Sequence, residues 1–376
     1  MIYMDNAATT KPCAWALDKA SKFVTEQFYN PSALYEEGFA LQSELKKARS
    51  ALLSKVADEN SFELIFTSCG TESDNHAIFS FAKRGNAVTT AGEHSAVLAP
   101  FTELKNRGVI ESRIAPLHKD GKVDVEKLLA LVDNKTSFVS VMHVNNEMGA
   151  INDINEIAKR VKQKNPRVIF HSDGVQAYGK IPYRLSKDID LYSLSAHKIG
   201  GLKGVGALIK RKSLNLPAFI FGGGQETGKR SGTENVFGIK QFAYASEKKF
   251  ETLTNDFDRL TAERERLANG LDSEIYTRLS PADGTPYILM VSARGLRGEI
   301  LLHMAHDKGL LIGTGSACSS NSKTRYNKVA LACGYDEKIA DGTVRLSFSP
   351  DTTEQEITDA IAIMNEIGRD LKGRMG

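Results

Sequence analysis

The sequence is poor in cysteine, in net charge and in long apolar runs, and each shortage removes a class of protein. Its 376 residues include four cysteines, Cys13, Cys69, Cys318 and Cys333, which form no CxxC pair and no metal-ligand spacing. A disulfide scaffold and a zinc module are set aside, and free thiols in a reducing, cytoplasmic compartment are expected. Lysine and arginine number 49 against 46 acidic residues, a formal charge of +3, so no nucleic-acid or membrane field is implied. There is no basic block, no low-complexity tract and no apolar run of transmembrane length. Met1-Ile2-Tyr3-Met4 lacks the charged and apolar regions of a secretory leader. What remains is an ordinary globular composition, 41% hydrophobic and 25% charged, in a chain long enough for two or three domains.

The hydrophobic pattern alternates between periods. Thr10 can cap a helix with Pro12 in its first turn and a stripe at Leu17, Ala20, Val24 and Phe28. A second helix is predicted over 34–56, with Leu41, Leu45, Ala48 and Leu52 on one face. From Phe62 onward, β-rich runs at 62–67, 87–90, 137–142, 168–172 and 189–196 alternate with helical stretches. That alternation predicts an α/β fold with a mostly parallel sheet covered on both faces. A run at 204–209 reads as a hairpin neighbour of 189–196. A long, half-charged helix follows from Val236 to about Leu271, and beyond Pro281 the pattern becomes α+β. The expected division is a large domain over 12–250 and a smaller one made of 1–11 and 251–376.

Several chemistry-bearing residues fall at predicted strand ends, where open α/β sheets place their ligands. Lys198 follows the 189–196 run and precedes Gly200-Gly201; its amine could form a Schiff base with a carbonyl such as that of pyridoxal phosphate. Asp173 closes the strand at 168–172 and could hold a protonated ring nitrogen, with Gln176 three residues on for a ring oxygen. Gly70-Thr71 sits at a strand-to-helix junction suited to a phosphate. Ser195 and His197 alternate along the expected strand and would share one face beside the lysine. His94 could stack on the ring. Each also has an ordinary structural reading: a solvated lysine, a turn aspartate, a surface glutamine, a capping threonine, a packed histidine. Cys318 lies in a small, polar stretch, Gly313 to Ser322, which makes a core role less suited to it than to Cys333 in the apolar run at 329–332. A surface thiol without a task is the other reading.

Taken together, the motifs resemble cysteine desulfurases of the NifS/IscS type within the class V aminotransferase family. The resemblance runs nearly end to end. It rests on Asp5-Asn6-Ala7-Ala8-Thr9-Thr10, Asn30-Pro31-Ser32, Gly70-Thr71-Glu72-Ser73-Asp74-Asn75, Glu93-His94 and Asn145-Asn146-Glu147. It continues through Asp173, Gln176, Ser195-Ala196-His197-Lys198, Gly222 to Glu226, Arg230-Ser231-Gly232-Thr233, Gly315-Ser316-Ala317-Cys318 and Arg345-Leu346-Ser347. It implies a type I pyridoxal-phosphate transferase fold and a homodimer with the site near the subunit interface. It further implies Lys198 as Schiff-base lysine, Asp173 and Gln176 on the cofactor ring, and His94 stacked on it with acid–base help. Gly70, Thr71, Ser195 and His197 would hold the phosphate, joined by Thr233 from the neighbouring subunit. Asn146 and Arg345 would orient the substrate, L-cysteine, and Cys318 would take its sulfur as a persulfide, leaving L-alanine. The sulfur would pass to an acceptor protein for iron–sulfur cluster assembly or tRNA and cofactor thiolation. Cys69, Leu202 and Tyr35 depart from the family pattern.

Two other functions fit the same residues. One is a selenocysteine lyase or aminotransferase of the same fold, in which Cys318 is incidental or sets substrate preference. The other is a non-catalytic sulfur-carrier subunit. The set Lys198, Asp173 and Cys318 argues against the carrier, and replacing Cys318 by serine separates the other two.

Overall fold

The computed structural model describes residues 1–314 and 325–375; Cys318 lies outside them. Strand β1 is Ile2–Met4, followed by helices α1 (Ala14–Thr25) and α2 (Glu36–Leu53). The alternating region runs β2 (Phe62–Thr67), α3 (Gly70–Phe81), β3 (Asn86–Thr90), α4 (Ser95–Asn106), β4 (Glu111–Ala115), α5 (Val125–Leu131) and β5 (Thr136–Ser140). It continues with α6 (Ile154–Lys164), β6 (Ile169–Asp173), β7 (Leu191–Ser195) and β8 (Gly206–Arg211). Helix α7 (Val236–Gly270) leads to β9 (Tyr276–Arg278), β10 (Ile288–Ala293), α8 (Gly298–Asp307) and β11 (Leu310–Ile312). The described part of the chain ends with α9 (Lys328–Ala332), α10 (Glu337–Asp341), β12 (Thr343–Ser347) and α11 (Glu354–Met375).

Seven strands form the main sheet in the order β2-β8-β7-β6-β5-β3-β4, and β8 alone runs against the rest. The α/β sheet expected from the alternation is therefore present. Side-chain alternation splits its residues between two cores. Leu64, Phe66, Val139 and Phe170 join one buried cluster with α2 and α7, whereas Ile65, Phe138, Leu191 and Leu208 join another with α3 and α4. Such strands read as near-continuous apolar runs because both faces are covered. Helix α2 buries Leu41, Leu45, Ala48 and Leu52, the stripe its spacing predicts.

The first helix differs from expectation. It begins at Ala14 and buries Ala16, Ala20 and Phe23, while Val24 and Phe28 are exposed. Thr10 caps nothing, because a long-range partner claims it: its Oγ1 accepts from Gly200 N at 2.7 Å and donates to the His197 carbonyl at 2.9 Å. The opening segment thus clasps the turn that carries Lys198.

A further core gathers Met4, Ala7, Leu260, Leu267 and the faces of β10, β12, α8 and α11. Helix α7 passes from the first core to this one. Strand β1 reaches it from the other end of the chain, pairing in parallel with β11, and Asp5 bridges to Ser347. Among the described residues, no helix is long and apolar enough to cross a membrane.

Candidate active site

The carboxyl ends of β2, β3, β5, β6 and β7 meet around a cavity of about 240 Å³. Beyond the end of each strand the chain turns, and the turn residues line the cavity: Gly70-Thr71, His94, Asn146, Asp173 with Gln176, and Ser195 with His197 and Lys198. Arg345 of β12 closes the far side. Ten of the candidates named from sequence are thus brought together. Thr233 is not among them; it lines a separate cavity of about 120 Å³ with Ser68 and Arg230.

Strand β7 stops at Ser195, and Ala196–Lys198 form a single 3-10 turn. His197 therefore reaches the cavity through the turn and not through strand alternation, as had been expected. The turn is set by Ala196 N donating to the Val205 carbonyl at 3.1 Å and by the Thr10 clasp. Lys198 Nζ donates to the carbonyls of Ala7 and Ala8 at 2.7 and 2.9 Å.

Asp173 is buried, and its Oδ1 accepts from Val175 N at 2.9 Å. Burial, aided by the neighbouring Asp74, pushes its pKa up to about 7. Asp74 is buried too and pushed up to about 7 by burial, and among the described residues its Oδ1 has no hydrogen-bond partner. Between them stands His171, held neutral by burial with a pKa near 4; it contacts Ser140 Oγ at 2.8 Å and Ser193 Oγ at 3.0 Å. Among the described residues neither carboxyl group has a lysine or arginine ion pair, and the neutral His171 stands 3.5 Å from Asp74 Oδ1, so this end of the cavity suits a positive charge.

His94 caps α4: its Nδ1 accepts from Ala96 N at 3.1 Å. Burial, and then Lys198, depress its pKa against the pull of Asp173. A neutral imidazole that accepts at Nδ1 carries its proton on Nε2, which makes it a donor.

The opposite end suits an anion. Helix α3 begins at Gly70 with no side chain capping it, since Cys69 makes no such bond. Glycine is needed there: a Cβ on Gly70 would lie 2.8 Å from Val175 Cγ2. Among the described residues Ser195 Oγ is buried without a hydrogen-bond partner, and the His197 ring is engaged at Nδ1 by Thr9 Oγ1 at 3.1 Å. Arg345 is buried, with Nη1 on the Asn146 carbonyl at 2.7 Å and Nη2 on Asp5 Oδ1 at 2.8 Å; among the described residues its Nε has no hydrogen-bond partner.

The whole-chain comparison decides the family. The model of the aminotransferase class-V family matches residues 2–359. The chain belongs to the class V aminotransferases. Among these relatives is a NifS/IcsS protein homolog of Lactobacillus delbrueckii subsp. bulgaricus, 38% identical over 98% of this chain and 97% of that one. Cysteine desulfurase NifS of Azotobacter vinelandii is 35% identical over 96% of this chain and 90% of its own length. A solved structure described as a NifS-like protein superposes with a TM-score of 0.90 at 33% identity, covering 97% of this chain and 98% of that one. The class V fold expected from sequence is the observed one.

Four residues at the site had been given no role from sequence. Asp74, quoted only within a motif, and His171 were given no role because their meaning depends on Asp173, which tertiary packing brings beside them; the His171–Asp173 spacing along β6 was the available signal. Asp5 was quoted only as part of a motif. Lys180 follows Gln176 by four residues, a spacing at which side chains meet on a helical turn.

Proposed function

We propose that the chain is a pyridoxal-phosphate-dependent cysteine desulfurase that converts L-cysteine to L-alanine and keeps the sulfur as a persulfide on Cys318. The observation that carries this reading is the cavity itself, with a lysine amine, a buried carboxylate short of a cation and an anion cradle arranged around one small space. The donor set fits the cofactor. Asp173 supplies the charge a protonated ring nitrogen needs, and the unpartnered Ser195 Oγ and the uncapped start of α3 suit a phosphate. Named relatives that catalyse cysteine desulfuration, matched over nearly the whole chain, support the reaction.

In this reading Lys198 would anchor the cofactor through its aldehyde, Asp173 would serve its ring nitrogen and Gln176 its phenolic oxygen. His94 packs on the ring face, and Gly70, Thr71, Ser195 and His197 hold the phosphate. Bound there, pyridoxal phosphate supplies an electron sink for the carbon that carries the substrate amine. Lys198 would also serve as the base that takes the substrate's α-proton. Arg345 and Asn146 hold the substrate carboxylate, the planar guanidinium matching it in charge and shape. Cys318, outside the described residues, attacks the substrate sulfur as a thiolate. The balance is one enzyme thiol and one L-cysteine giving one enzyme persulfide and one L-alanine.

The chain is proposed to act as a homodimer, with Thr233 serving the partner's phosphate site. The exposed apolar side chains Phe28, Leu34, Phe39 and Phe221 support a protein interface. A sulfur-acceptor protein is the proposed downstream partner, in iron–sulfur cluster assembly or thiolation, within the cytoplasm. The decisive experiment incubates the protein with L-cysteine and measures alanine together with persulfide on Cys318 by mass spectrometry. Cys318→Ser is expected to retain the visible colour of the bound cofactor but form no persulfide at that position. Lys198→Ala is expected to lose the visible band. Undiminished sulfur release by Cys318→Ser would overturn the thiol's role.

A further inference from the structure

Lys180 is an anomaly beside the cavity. It is 4% exposed, and among the described residues it forms no ion pair. Its Nζ donates one hydrogen bond, to Gln176 Oε1 at 2.7 Å, and the Tyr287 ring lies 5.8 Å away. The titratable groups facing it are bases: Lys198 and His197 on the turn after β7, Lys249 on α7 and Arg345 on β12. Burial, then Lys198, Lys249 and Arg345, push its pKa well below the ordinary lysine value. A buried amine without a counter-ion is a cost that a methionine of similar volume would avoid, so its presence calls for a task.

That task runs through its one hydrogen-bond partner. Gln176 Nε2 donates to the Ala7 carbonyl at 2.9 Å, and the same carbonyl accepts from Lys198 at 2.7 Å. A carbonyl only accepts, so Nε2 must face Ala7 and Oε1 must face Lys180. The second hydrogen on Nε2 is then available to the cavity that Gln176 lines. Without Lys180, Oε1 would be a buried acceptor with no donor, and the amide would gain by rotating away.

We propose that Lys180 is a positioning residue: its hydrogen bond to Gln176 Oε1 locks that amide with an N–H directed at the phenolic oxygen of bound pyridoxal phosphate. The inference rests on the cofactor reading above. A fixed donor there stabilises the anionic form of that oxygen, and so lowers the pH at which the visible band of the lysine-bound cofactor changes.

The test is a spectrophotometric pH titration of the cofactor-loaded protein in wild type, Lys180→Met, Gln176→Leu and the double variant. Lys180→Met is expected to raise the midpoint by about half to one pH unit, the worth of one hydrogen bond. In the Gln176→Leu background the same change is expected to add nothing. An unmoved midpoint in Lys180→Met overturns the proposal. So does an equal rise in both backgrounds, which would mean that Lys180 acts as a charge independent of Gln176. A wild-type protein that develops no visible band with pyridoxal phosphate overturns the cofactor reading, and this inference with it, before any variant is compared. Methionine keeps the volume and removes the repulsion among buried cations, which offsets the acceptor left unpaired at Oε1, so Lys180→Met is expected to fold. Lys180→Leu takes its place in the same comparison should it fail to fold.

Discussion

Asp173 shows how a single residue can be held in readiness at the expense of the fold. An unfolded aspartate titrates at about 3.9, whereas burial and Asp74 push Asp173 up to about 7. Between those two values the folded, cofactor-free chain holds a proton that the unfolded chain has lost. Stability therefore falls as pH rises through that window and levels off above it. Asp173→Asn removes the titration. The cofactor-free variant is expected to unfold at a higher temperature than wild type, by a clearly larger margin at pH 8 than at pH 5. A margin that does not grow between those pH values would show that Asp173 is not strained by its burial. Alanine formation is expected to fall by about a hundredfold or more, because in the proposed role of Asp173 a neutral amide would leave the cofactor's ring nitrogen without its counter-charge. A variant at once more stable and less active is the pattern of a site that trades stability for function.

At the scale of elements, the cavity depends on how closely β8 lets its neighbours approach. Gly206, the first residue of β8, pairs with Ser195 on one side and Thr67 on the other. A Cβ on it would lie 2.6 Å from the Cys69 carbonyl carbon, a backbone atom with nowhere to go. Gly206→Ala must therefore displace the start of α3 from Ser195. It is expected to cost about 1–3 kcal/mol, as overpacking does, and to weaken phosphate holding. Denaturant titration and cofactor affinity, read on the same variant, check both parts. The elements that position the site were legible in sequence wherever a long pattern specified them. The buried stripe of α2, the apolar strands and the strand-end residues Asp173 and Lys198 all carried clear signals. Short pieces did not: β1, β9 and β11 have three residues each, too few to show a period, and they exist because other segments pair with or pack on them. The phase of α1 misread for a related reason. Val24 and Phe28 are as apolar as Phe23, so only the partner surface selects which face is buried. His197 was placed on the right side of the cavity by the wrong route, since the strand ends two residues before it. The electrostatic set Asp74, His171 and Lys180 was illegible because charge without compensation is a property of tertiary burial.

On the scale of the whole molecule, the site is closed by residues from both ends of the chain. Lys198 rests on the carbonyls of Ala7 and Ala8, the Asn6 amide donates to the Ser347 carbonyl at 3.0 Å, and Asp5 pairs with Arg345. The opening segment therefore ties the α/β sheet to the core built around β10 and β12, and it does so at the cavity. Both terminal nitrogens of Arg345 are anchored, one on each side of this junction, which fixes the plane of the guanidinium before substrate arrives. Asp5→Ala removes one anchor and leaves a buried cation short of its partner. Asp5 is partly exposed, so water recovers part of the loss, and a cost of about 2 kcal/mol is expected. The larger consequence belongs to recognition: if Arg345 binds the substrate carboxylate throughout the reaction, as proposed, KM for L-cysteine is expected to rise about tenfold with a smaller change in kcat. Asp5→Asn, which keeps an acceptor for Nη2, is expected to recover most of the affinity and part of the stability. Steady-state kinetics and thermal unfolding on the two variants separate the contributions. A lowered unfolding temperature with an unchanged KM would reduce Asp5 to a staple between the two cores. A raised KM restored by asparagine would show that the junction positions the residue that reads the substrate.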